Sequence, residues 1–176
     1  NMDSVTGGVN FKIAEKMGLE QLSFLGKRQT VSLPCDTPDT CCGACRTVEG
    51  GEGIIGFLPT PMAADDFIIM LKQTFGVECV MANELIRRDI RKVALCGGAG
   101  DFLLDEALAA GADAFVTGEM RYHPFFGQEQ QIQLAIIGHY QSEQYTTEIF
   151  RDIIMQKCPD VRCMITEHNT NPIIYL

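Results

Sequence analysis

Three apolar runs in this chain each end in glycine and hand over to a more polar segment. KVALCGG (residues 92–98) precedes DFLLDEALAAG, DAFVTG (residues 113–118) precedes a stretch around residues 123–130, and QLAIIG (residues 133–138) precedes a helical pattern over residues 142–157. Short continuous apolar runs bounded by glycine suit strands covered on both faces. Their alternation with helical segments implies βαβ units with right-handed crossovers. The expected fold class is therefore α/β, with a mixed, largely parallel sheet flanked by helices.

The remainder fits around this frame. A short helix is expected over residues 9–17, with Phe11, Ile13, Ala14 and Met17 as its apolar positions and Gly18 as its stop. IIGFL (residues 54–58) and ECVMA (residues 78–82) read as strands. Between them, PMAADDFIIMLKQTFG reads as a helix with Pro61 near its start, Asp65 and Asp66 in its first turns and Gly76 at its end. Asp101 is placed to cap the helix that closes at Gly111, and VRCMITE (residues 161–167) reads as the last strand. Residues 26–53, with Pro34, Pro38 and many Gly, Thr and Asp, show little periodicity and read as an irregular connector or insertion site.

Composition removes several functions. Hydrophobic residues make up 46% of the 176 and charged residues 21%, ordinary for a globular domain. No apolar run approaches the roughly 20 residues that span a membrane. The opening NMDSVTGG has neither the basic region nor the apolar core of a signal peptide, so a cytoplasmic chain with reduced thiols is expected. A net charge of −9 speaks against nucleic acid, which needs a Lys/Arg stripe, and slightly favours cations. The basic cluster RRDIRK (residues 87–92) reads as an exposed turn. Of eight cysteines, Cys35, Cys41, Cys42 and Cys45 crowd into CDTPDTCCGACRT, where a structural zinc site competes with a reduced loop or processing remnant. Cys79, Cys96, Cys158 and Cys163 are scattered and read as small hydrophobes.

In open α/β sheets ligands gather at the carboxyl ends of strands. Those ends here carry Gly97-Gly98-Ala99-Gly100, then Gly118-Glu119 with His123 close behind, then Gly138-His139 with Glu143 one turn further. His139 and Glu143 have i, i+4 spacing and share one face if the helix has begun by His139. An imidazole and a carboxylate so placed can hold one cation, or one each of a close pair, and mixed nitrogen and oxygen donors suit zinc, iron or manganese. The plainer reading is a carboxylate at a helix start beside a histidine, with Ser142 as the capping candidate. The GGAG turn resembles a phosphate cradle, but it lacks the full GxGxxG spacing and the P-loop lysine, and tight strand-to-helix packing is the plainer reading. Asp3, on composition alone, is an aspartate approaching a helix.

Taken together, NMDSVTGGVNFKIAEKMGL, KVALCGGAGDFLLDEALAAGADAFVTGEMRYH and GHYQSEQ closely resemble the Nif-three-like family of dinuclear-metal proteins, also known as type 2 GTP cyclohydrolase I homologues. The resemblance covers roughly residues 1–25 and 52–176. It implies two similar α/β lobes meeting at a cleft that holds two divalent metal ions, identity zinc, iron or manganese. By this resemblance Asp3 and the pair His139 and Glu143 are metal ligands, and Glu119 and His123 are catalytic candidates near the cleft. The family's early His-His pair has no counterpart: no His-His occurs in the sequence. On this reading residues 1–25 are a remnant of the first lobe carrying the ligand Asp3, residues 26–53 the connector, and residues 54–176 the C-terminal lobe.

The implied function is a metal-dependent hydrolase acting on a nucleotide or phosphoester, in which Glu119 or His123 shuttles protons. The alternatives are a metal-binding scaffold or regulatory protein without turnover, and a phosphate-binding module built on the GGAG turn. A small-molecule substrate and a homo-oligomer, commonly a hexamer of three dimers, are the partners the resemblance implies.

Overall fold

A strand whose neighbours along the chain are all apolar has to be covered on both faces, and the residues Val93 to Gly98 meet that demand: every one is buried. In a computed structural model, which describes residues 2–33 and 46–174, the elements run α1 (Val9–Lys16), β1 (Glu20–Leu25), β2 (Gln29–Leu33), β3 (Arg46–Gly50), β4 (Gly53–Met62), α2 (Ala64–Phe75), β5 (Met81–Ala82), β6 (Ile90–Ala99), α3 (Leu104–Ala109), β7 (Ala114–Glu119), β8 (Gln133–Ile136), α4 (His139–Glu143) and α5 (Thr146–Lys157). Six strands form one sheet in the order β1-β4-β6-β7-β8-β5, and β2 and β3 form a separate antiparallel pair. The cysteine cluster Cys35, Cys41, Cys42 and Cys45 lies outside the described residues.

The sheet is mixed, as expected, but not largely parallel. Its parallel pairing is confined to the centre, β6 to β7 and β7 to β8, while β1 to β4, β4 to β6 and β5 to β8 are antiparallel. Strand–helix alternation therefore announces the parallel centre and leaves the flanks open. Register holds along the body of these strands, where Val93 faces Ala114 and Cys96 faces Thr117, while Ala114 faces Gln133 and Thr117 faces Ile136; between β6 and β7 it shifts past Cys96, at Gly97 and Gly98, so that Ala99 faces Glu119.

Side chains alternate across this sheet with period two. Val93 and Leu95 of β6 and Val116 of β7 join Val9, Ile13 and Ala14 of α1 and Phe67, Leu71 and Phe75 of α2 in one core. Ala94, Cys96 and Phe115 face the other way, toward Leu104 and Ala107 of α3.

Several local expectations shift for identifiable reasons. α2 starts at Ala64, because β4 continues through Pro61 to Met62. The pairing of β4 with β6 slips between Phe57 and Met62, where Pro59 and Pro61 have no N–H to donate. α2 does end as expected, on Gly76 in the left-handed conformation, with the Val77 N–H bonded to Lys72 O at 3.0 Å. The strand read over residues 78–82 shrinks to Met81–Ala82, and the helix around 123–130 to the single turn His123–Phe125. Asp101 makes no capping bond; its carboxylate pairs with Arg121 instead. The segment read as a last strand, residues 161–167, is neither helix nor strand, since alternation makes a strand only where a sheet edge pairs with it. Of the scattered cysteines only Cys96 is buried; Cys79 and Cys158 are exposed and Cys163 half-buried. No helix among the described residues is long and apolar enough to cross a membrane.

An ionic clamp ties α5 to α1. Glu148 receives Lys16 at 2.9 Å and Lys12 at 3.4 Å, and the Lys16 ammonium also lies 4.4 Å from the centre of the Tyr145 ring. Burial opposes ionisation of Glu148, but the two lysines outweigh it and hold the carboxyl below the usual glutamate range. A carboxyl lowered by folding stabilises above its unfolded pKa and loses that contribution as pH falls. Glu148→Gln is expected to lower stability at pH 7 by up to about 1 kcal/mol. The difference from wild type closes in urea titrations carried out progressively below the carboxylate range.

Candidate metal centre

Because β6, β7 and β8 run parallel and in register, their carboxyl ends finish side by side and bring Gly97-Gly98, Gly118-Glu119 and Gly138-His139 together. Gly138, at φ 97°, turns the chain out of β8 directly into α4. The helix therefore begins at His139 itself, not at Ser142, and the i, i+4 face that the spacing permits is realised. His139 Nε2 lies 3.5 Å from Glu143 Oε1, and His139 Nδ1 lies 2.9 Å from Glu119 Oε1. The imidazole stands between two carboxylates. With the Nδ1 proton donated to Glu119, Nε2 keeps its lone pair on the side of Glu143, the arrangement by which a carboxylate orients a ligating histidine.

Glycines allow this approach. A Cβ on Gly98, whose φ is +62°, would fall 2.6 Å from Glu143 Oε1 and 3.4 Å from His139 Nε2. A Cβ on Gly118 would fall 2.7 Å from both Gly98 O and Ser142 Oγ. The backbone thus forms a cradle that any side chain would fill. The GGAG amides are not open to a phosphate: Gly97 N–H donates to Asn10 Oδ1, Gly98 N–H to Ser142 Oγ and Gly100 N–H to Thr117 Oγ1, at 2.7, 3.0 and 3.0 Å. The turn serves tight packing.

The electrostatics are those of a site short of positive charge. Burial raises Glu143 above the usual glutamate range; His139 pulls it down, and the carboxylates of Asp3 and Glu119 push it up again. Asp3 is therefore within electrostatic reach of Glu143. Cys96, beneath the site, is pushed up to about 12 by burial and by Asp3, Glu52 and Glu143, so it remains a thiol and gives its proton to Glu52 O at 3.1 Å.

The structure thus joins Glu119, His139 and Glu143 and sets Asp3 nearby. It leaves His123 on an exposed turn with its ring edge-on to Tyr122, 5.7 Å between centres. Among the described residues no three His, Cys, Asp or Glu side chains form a ready-made metal cage. Two clefts of about 580 and 660 Å³ meet at Glu119 and His139; the second is also lined by Glu143 and by His168 from the C-terminal segment. Sequence reasoning passed over His168 and also Asn10, which is fully buried. Asn10 was open to detection, since it shares the apolar stripe of α1 with Ile13, Ala14 and Met17 at helical spacing.

Fold and site define a mixed α/β protein with an imidazole bracketed by carboxylates at the strand ends. The chain belongs to the Duf34/NIF3 (NGG1p interacting factor 3) family, whose pattern matches residues 1–172. It is 29% identical over 145 residues to a GTP cyclohydrolase 1 type 2 homolog of Clostridium perfringens, covering 81% of this chain and 49% of that protein. It is 36% identical over 78 residues to a protein of the same name from Listeria innocua, covering 44% of this chain and 21% of that one. The chain therefore spans half or less of these curated relatives. In fold it is similar to the crystal structures of Staphylococcus aureus hypothetical protein SA1388 and of a Bacillus cereus protein related to NIF3. The TM-scores are 0.79 and 0.75, at 22% and 18% identity, covering 99% of this chain in each case and 66% and 71% of those chains.

Glu143 yields a test opposite in sign to that of Glu148. A carboxyl raised by folding contributes stability below its unfolded pKa and loses it as pH rises through the folded value. In metal-free protein, Glu143→Gln is therefore expected to raise the melting temperature relative to wild type, and the gain should grow between pH 4 and pH 7. Calorimetry in the presence of a chelator reads it directly.

Proposed function

We propose that this chain contributes Asp3, His139 and Glu143 as ligands to a divalent metal centre, with zinc, iron or manganese as the candidate ions, and that the complete protein is a metal-dependent hydrolase of a nucleotide or phosphoester. The observation that carries the reading is His139, held between Glu119 and Glu143 on a glycine cradle at the strand ends. One imidazole with several carboxylates is a donor set suited to these ions. The positive charge of a cation would also offset the burial and the neighbouring carboxylates of Asp3 and Glu119 that raise Glu143. A bound ion supplies Lewis acidity.

The chain's own residues do the rest. Glu119 holds the Nδ1 proton of His139 and so keeps Nε2 directed at the metal. Glu119, which lines both clefts, and His123, on the exposed turn that follows β7, are the candidates for moving protons to and from substrate. The name shared by the curated relatives directs the substrate search to nucleotides. The same reading includes a homo-oligomer, which sedimentation measures.

The test is metal content of the full chain after equilibration with Mn²⁺ or Zn²⁺. Wild type is expected to retain metal on gel filtration, and His139→Ala and Glu143→Ala to lower affinity at least about tenfold. Unchanged stoichiometry in both variants sinks the assignment of this pair. Release of product from GTP or simple phosphoesters, abolished by chelator and restored by metal, is expected if the centre is catalytic; tight metal binding with no turnover on any of them makes it a scaffold.

A further inference from the structure

Asp3 and His139 sit on the two least self-supporting pieces of the site. Residues 2–8 contain no helix and only an isolated bridge from Val5 to Gly50, and α4 is five residues long, too short to hold itself together. The geometry points to a common anchor for both: Asn10 and Ser142 are positioning residues that set the Asp3 carboxylate against the His139–Glu143 pair by occupying two consecutive amides of β6. This rests on the metal reading above.

Asn10 is fully buried, and its carboxamide joins three separate segments. Its Nδ2 donates to Asp3 O at 2.9 Å and to Glu52 O at 3.0 Å, and its Oδ1 accepts from Gly97 N–H at 2.7 Å. Ser142, 1% exposed, accepts from Gly98 N–H at 3.0 Å and donates to His139 O at 2.7 Å. Neither side chain merely satisfies its own helix, because each reaches the backbone of a candidate ligand on one side and β6 on the other. Gly97 and Gly98 are neighbours on a strand buried on both faces, with alpha carbons about 3.8 Å apart. The two halves of the site are thereby keyed to adjacent points on one buried strand of the central sheet. Other bonds, from Gly51 N–H to Ser4 O and from Val9 N–H to Met2 O, guide the path of the N-terminal segment. Among the described residues only the Asn10 carboxamide is bonded to the Asp3 peptide and β6 together.

A purely structural role predicts lost stability and unchanged metal affinity; a positioning role predicts lost affinity in a folded protein. Asn10→Asp is nearly isosteric, keeps an acceptor for Gly97 and leaves at most one acid proton in place of the two amide donors. Any charge it carries favours a cation, so weaker binding reports geometry. Ser142→Ala removes a single oxygen and decides the matter alone if Asn10→Asp does not fold. Gln133→Ala is the control. Gln133 is also fully buried but lies at the start of β8, bonded to Asn83 and the Ile86 N–H, away from the strand ends that carry the site.

Mn²⁺ is titrated calorimetrically into the full chain, with circular dichroism and melting temperature recorded for each variant. Asn10→Asp and Ser142→Ala are each expected to weaken Mn²⁺ binding 10- to 100-fold, as loss of a group that orients ligands does. Gln133→Ala is expected to lower the melting temperature and change affinity less than about twofold, since no bond of Gln133 reaches a candidate ligand. Wild type that binds Mn²⁺, with both variants binding as tightly, overturns the positioning role alone. Wild type that binds none overturns it together with the metal reading.

Discussion

The in-register parallel pairing of β6, β7 and β8 is the constraint from which the other features descend. Burial on both faces holds these strands in one register over Val93–Cys96, because a shift of one residue turns every side chain to the opposite core; the pairing shifts only past Cys96, where Gly97 and Gly98 carry no side chain. Val93 and Leu95 would change places with Ala94 and Cys96, and neither α1 and α2 nor α3 could repack around the result. With register held, three strand ends finish together. Gly98 then leaves room for the Glu143 and His139 side chains, Gly118 for the Gly98 backbone, and Gly138 turns the chain so that His139 emerges beside Glu119.

Charge is distributed unevenly over this frame. At the α1–α5 clamp one carboxylate meets two ammonium groups, and folding favours its ionised form. At the strand ends two carboxylates, Glu119 and Glu143, bracket a single imidazole, and burial together with the charges of Asp3 and Glu119 disfavours ionisation of Glu143. The first arrangement stabilises the chain as it stands. The second lowers its stability, as perturbed carboxyls at functional sites commonly do.

Much of this was legible in the residues. Continuous apolar runs closed by glycine identify the central strands, and Gly76 marks the end of α2, because burial and backbone conformation act locally on residue type. The i, i+4 relation of His139 and Glu143 also reads directly from the chain. Other features turned on partners far away in sequence. VRCMITE reads as a strand in composition but pairs with none of the described strands. Pro61 resembles a helix start, yet lies in a stretch of β4 where the pairing slips. Asp101 resembles a cap, yet pairs with Arg121.

By itself, then, the sequence determined the α/β class, the central strands and which residue types stand at their ends, since each follows from local burial, periodicity and backbone preference. Only the tertiary structure decided that Glu119 meets His139 Nδ1, and that Asn10, 87 residues from Gly97, and Ser142, 44 residues from Gly98, bind adjacent amides of one strand. A hydrogen bond is specified by position and direction in space, and those are set only when register and packing have brought distant segments together.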